Sequence, residues 1–148
     1  MEKEKILKHC LKILEEKISI ARQGMEEAQA SANNETKSSA GDKYETGRAM
    51  SQRERDLHAR QLSELINMKK TFGSIPADRD CTIVELGALV ETNQSTFLIS
   101  ASLGQINVKD IPIMAISAIA PIAQAMLGKK VGDKFEWMNK ELKILAVS

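Results

Sequence analysis

The chain has 148 residues, a net charge of +1 and an apolar share of 43%, which suits one ordinary domain or two small ones around a modest core. So balanced a charge excludes a uniformly basic nucleic-acid-binding face, and any contact with nucleic acid has to be local. There is no run of about 18 apolar residues to span a membrane, and Met1-Glu2-Lys3-Glu4-Lys5 is unlike a secretory leader, so the chain reads as cytoplasmic.

From the N-terminus, residues 2–32 read as one long helix. Leu7, Leu11, Leu14, Ile18, Ala21, Met25, Ala28 and Ala32 recur in steps of four and three, the seam of a coiled coil. Gly24 is its one weak point. Residues 33–41 change to Asn, Ser, Thr, Glu and Gly, a turn composition. A second helix resumes by about 44–48 and ends at Phe72, with Gly73 as its C-cap. Met50, Leu57, Leu65, Met68 and Phe72 form its apolar side. Folding it back pairs Leu7 with Phe72, Leu11 with Met68, Leu14 with Leu65, Ala21 with Leu57 or His58, and Ala28 with Met50. That constant pairing predicts an intramolecular antiparallel hairpin in a monomer, turning near residue 39 or 40, and a rod roughly 40–45 Å long at about 1.5 Å per residue. Its tip, near 40–46, carries Asp42 and Glu45.

Gly73-Ser74-Ile75-Pro76 ends the helical pattern and divides residues 1–73 from 74–148. Runs 82–91 and 95–101 read as a β-hairpin around Thr92-Asn93-Gln94, and 111–117 as a further strand. Pro121 opens a short helix ending at Gly128, after which strands at 134–138 and 142–147 close an antiparallel sheet. The fold class is α+β, a helical hairpin followed by a sheet with one short helix.

Asp42 and Glu45 stand three apart, so one side of a helical turn can present both. An Asp after Gly with a Glu three residues on is equally the pattern of a capping box. Arg48, Arg53, Arg55 and Arg60 are interleaved with Glu54 and Asp56, as on a solvated helix face. His9 and His58 have no partner pattern and read as surface or seam residues. Phe135 and Trp137 alternate on a strand and read as packing residues. Cys10 and Cys81 lie far apart without metal or redox spacing and read as reduced thiols.

Two blocks carry a resemblance to a known family. Gly41-Asp42-Lys43-Tyr44-Glu45 resembles the Gly-Asp-x-x-Glu tip motif of the Gre family of bacterial transcript-cleavage factors. Residues 116–133, from Ile116-Ser117 through Pro121, Gly128-Lys129 and Gly132-Asp133, are similar to that family's Ile-Ser-x-x-Ser-Pro block and the Gly-Lys-x-x-Gly-Asp that closes it. The resemblance implies an FKBP-like C-terminal domain that docks on RNA polymerase. It also implies a hairpin that enters the polymerase's secondary channel, where Asp42 and Glu45 help hold a catalytic Mg²⁺ jointly with the polymerase. Arg53, eleven residues after Asp42, stands where the family has a basic residue and is implied to meet the RNA, and the nascent RNA 3′ end is the indirect partner. The chain is then an activator of the polymerase's own hydrolysis of backtracked transcripts, not a free-standing enzyme. After Glu45 this chain has Thr46-Gly47-Arg48 where the family commonly has Asn, a small residue, an acidic residue and Tyr, and Ala120 replaces the usual serine before Pro121. These departures leave open a non-catalytic regulator of the same channel.

Overall fold

The computed structural model describes residues 2–36 and 41–148, with side chains for all of these except residues 35–36 and 41–45. Two long helices, α1 (Lys3–Thr36) and α2 (Gly41–Ser74), precede strands β1 (Leu89–Thr92), β2 (Thr96–Ser100), β3 (Gly104–Val108) and β4 (Ile111–Ser117). Helix α3 (Pro121–Met126) and strands β5 (Lys134–Trp137) and β6 (Lys140–Val147) follow. The helices reach further than their sequence pattern, and the turn expected near residue 39 or 40 lies outside the described residues. By compactness the chain forms two units, Ile13–Lys69 and a second made of Met1–Lys12 with Lys70–Ser148. Helix α2 runs to Ser74 and the first strand begins at Leu89, while the second unit gathers the helix ends with the sheet.

Within the helical unit α1 and α2 run antiparallel. Glu15 pairs with Lys69 at 3.7 Å, and Arg55 donates to Gln29 Oε1 at 3.3 Å. Leu14, Ile18, Ala21, Ala28 and Ala32 are buried along the seam, as their spacing predicts. The register on α2 differs from the expected pairing by about one helical turn, and Leu57 and Met50 are 49% and 58% exposed instead of lying in the seam. Gly24 supplies the reason: a Cβ built there would stand 2.7 Å from His58 Cε1, so the missing side chain leaves a notch that the imidazole fills. That contact sets the rotation of α2. Gly24→Ala is therefore expected to destabilise the hairpin, whereas in a His58→Ala background it should stabilise it by about 1 kcal/mol, the ordinary helix preference for Ala. A urea-melting double-mutant cycle checks this; equal stabilisation in both backgrounds would mean that the notch is not occupied.

In the other unit the sheet order is β3-β4-β2-β1-β6-β5. It is antiparallel except between β2 and β4, which run parallel from Thr96↔Ile113 to Ser100↔Ser117. The hairpin β3–β4 makes this possible, because β4 returns between β3 and β2. The strand expected over 82–91 shortens to β1, since Gly87 takes a positive φ of 93° and Ile83 makes only an isolated bridge to Lys130. Both sheet faces are covered. Val90, Phe97, Ile99, Phe135, Leu142 and Ile144 share one core with Ala123 and Met126 of α3. Leu89, Leu98, Ile106 and Ile113 alternate to the opposite face and are also buried, as are Ile6, Leu7, Cys10 and Phe72 in the helix ends of the same unit. Lys3 is buried there too, donating from Nζ to Gly87 O at 3.0 Å. Within a run of alternating charges it looks like a solvated residue, and no signal in the sequence marks it out. Both cysteines are free and buried; desolvation pushes the Cys10 thiol up to about 11 and raises that of Cys81, so neither is poised to react.

Candidate functional site

Two places in the fold carry the sequence motifs. The first is the start of α2. Asp42 and Glu45 both lie on the helical backbone of α2, which is described from Gly41 onward. Their side chains lie outside those described. The backbone alone places both positions on one side of α2, because three residues nearly complete a turn. Arg53 follows Asp42 by eleven residues, just over three whole turns, and so falls on the same side, roughly 16 Å along the axis. It is exposed and makes no ion pair with any described residue. Arg55, by contrast, lies against Gln29 and pairs with Asp56 at 2.7 Å, while Arg48 and Arg60 are exposed. His58, by helical phase, points away from the Asp42 side and into the seam, where its Nδ1 is buried without a hydrogen-bond partner. Arg53 is thus on the exposed side of α2, and backbone positions 42 and 45 fall toward the same side by helical phase.

Such an arrangement cannot enclose a metal by itself. Among the described residues no three His, Cys, Asp or Glu side chains converge as a metal site. Two carboxylates on one helical turn nevertheless suit Mg²⁺, which prefers oxygen ligands, retains several waters and needs only one or two protein carboxylates when other ligands come from elsewhere.

The second place is the turn between β4 and α3. Ser117 Oγ accepts from Ile119 N at 3.3 Å, Ala120 N donates to Ser117 O at 3.0 Å, and Gln124 Nε2 reaches back to Ala118 O at 2.7 Å. Ala120 occupies the N-cap of α3 without a side-chain bond, and Pro121 opens the helix. The backbone and Gln124 therefore hold the turn in place of a capping serine, and they present Ile119, 83% exposed. Beyond α3, Gly128 and Gly132 take positive φ of 79° and 92°, and Asp133 Oδ2 accepts from Lys130 N at 2.9 Å. The glycines and aspartate of this block serve the backbone. Ile119 is thereby left almost wholly exposed on a braced turn.

A long antiparallel helical pair followed by a six-stranded, mostly antiparallel sheet with one packed helix is the class of protein this fold defines. Residues 84–148 match the family model described as "Transcription elongation factor, GreA/GreB, C-term". Residues 84–148 are thus similar to the C-terminal domain of Gre transcription elongation factors. A solved structure described as "Structure of the transcription factor Gfh1" is similar over 93% of this chain and 92% of that one, at 16% identity and a TM-score of 0.37. No curated protein sequence matches the chain. Among the described residues no helix is long and apolar enough to cross a membrane.

Proposed function

We propose that the chain binds RNA polymerase through residues 74–148 and stimulates cleavage of backtracked transcripts with the acidic start of α2. The observation that carries the reading is the match of residues 84–148 to the Gre C-terminal model, in a chain with Asp42 and Glu45 three residues apart on α2. Asp42 and Glu45 hold a Mg²⁺ shared with the polymerase, and Arg53 meets phosphate oxygens of the RNA with a bidentate guanidinium. When bound, the Mg²⁺ supplies Lewis-acid stabilisation of the reacting phosphate and polarises water for attack. The chain contributes position and charge, and hydrolysis remains the polymerase's.

Addition of the protein to stalled, backtracked complexes should release short RNA. Binding without release at any Mg²⁺ concentration favours a second reading, a non-catalytic regulator of the same channel. Thr46-Gly47-Arg48 is the observation behind that alternative, since it places a glycine and a reversed charge next to the acidic pair. Failure to bind core polymerase overturns both. Docking itself is tested at the braced turn: Ile119→Asp is expected to weaken polymerase binding by at least about tenfold, the loss of about 1.4 kcal/mol from an apolar contact. Thermal stability should be unchanged, because the side chain is almost wholly exposed. Unaltered affinity would move the dock elsewhere on the domain.

A further inference from the structure

The two flanks of the helical pair are unlike. On one, Glu15–Lys69 and Gln29–Arg55 bridge the helices. That flank also holds a groove of about 460 Å³, lined mostly by polar and charged residues, whereas the other has no such bridge among the described residues. There a groove of about 380 Å³ between Lys17 and Met68 continues past Ile20 and His58 into a second of about 410 Å³ that ends at Ser31 and Glu54. Ile20 is 70% exposed on this flank, and by helical phase Leu57 and Met50 fall on the same side of α2. Leu57 and Met50 give α2 more apolar surface than its seam consumes, beside the two grooves and not lining them. The rim is acidic. Glu27, Glu54 and Glu64 line the two grooves and only Lys17 opposes them. From Lys17 to Ser31 the grooves run roughly 21 Å, the length of about four helical turns.

We propose that this open flank is a docking groove for a basic amphipathic helix of about four turns, supplied by a partner protein. An apolar stripe at i, i+3, i+4 and i+7 fills the space over Ile20 and Leu57, and lysines or arginines beside the stripe meet Glu27, Glu54 and Glu64. A second copy of the chain is the poorer occupant by the same chemistry, because apposing two such flanks sets one acidic rim against another. The groove is independent of the tip, so this assignment stands or falls apart from the cleavage reading.

Fluorescence anisotropy with a labelled peptide of about 18 Leu, Ala and Lys residues, its leucines at helical spacing, tests the assignment against a scrambled peptide of the same composition. At about 0.15 M salt the amphipathic peptide should bind saturably and at least about tenfold more tightly than the scrambled one. Ile20→Ser with Leu57→Ser, and separately Glu54→Lys with Glu64→Lys, should each remove that preference while leaving the helical circular dichroism and melting intact, since all four residues are exposed. Absence of saturable binding, equal binding of the scrambled peptide, or an unchanged affinity in the serine variant overturns the proposal. Sedimentation equilibrium showing self-association that the serine variant abolishes overturns it in favour of a second copy.

Discussion

Asp42→Asn and Glu45→Gln are each expected to lower stimulated transcript cleavage by at least about a hundredfold without loss of polymerase binding. A metal ion contributes several kcal/mol of charge stabilisation in such a transition state, and each 1.4 kcal/mol or so is a factor of ten in rate. An amide retains the shape of the carboxylate but not the charge that a hard cation requires. Asp42 lies on helical backbone within α2, so the asparagine is expected to cost no more than about 0.3–1 kcal/mol, the size of a helix-dipole interaction. Binding should survive, since these residues belong to one compact unit and residues 74–148 to the other. Cleavage of stalled complexes across a Mg²⁺ titration, with polymerase affinity measured in parallel, checks the pair. Undiminished cleavage by Asp42→Asn would leave the residue a helix-end role and remove the metal from the account.

The largest stability effect is expected at the seam. Leu14 is fully buried, and Leu14→Ala should cost about 2–4 kcal/mol through lost transfer energy and an incompletely collapsed cavity. Leu57 is the informative control. The pairing expected from sequence places it in the same seam, but it is 49% exposed, so Leu57→Ala should cost less than about 1 kcal/mol. Urea melts followed by helical circular dichroism separate the two registers: comparable losses at both positions would restore the one expected from sequence.

Some elements were legible because their signals are local. The seam of α1, the Pro121 start of α3 and the strands at 134–138 and 142–147 all follow from periodicity or turn chemistry within a few residues. Strand β3 was not legible. Gly104–Val108 has only Ile106 and Val108 to alternate, and its turn into β4 is made by Lys109 and Asp110 at positive φ of 51° and 65°, without the glycine that marks such turns. Losing β3 also hid the parallel pairing of β2 with β4.

By itself the sequence determined which segments are helical, which side of α1 packs, where helix gives way to strand, and the block at 116–133 that lies within the family match. Each depends on the backbone's own period or on residues that are neighbours in the chain. The tertiary structure alone decided the rotation of α2, set by His58 entering the notch at Gly24, and with it the exposure of Leu57 and Met50. It also decided that Lys3 is buried against Gly87 O, 84 residues away. Such outcomes turn on the fit between side chains distant in sequence, where one absent Cβ redirects a whole helix face, and no local pattern records that fit.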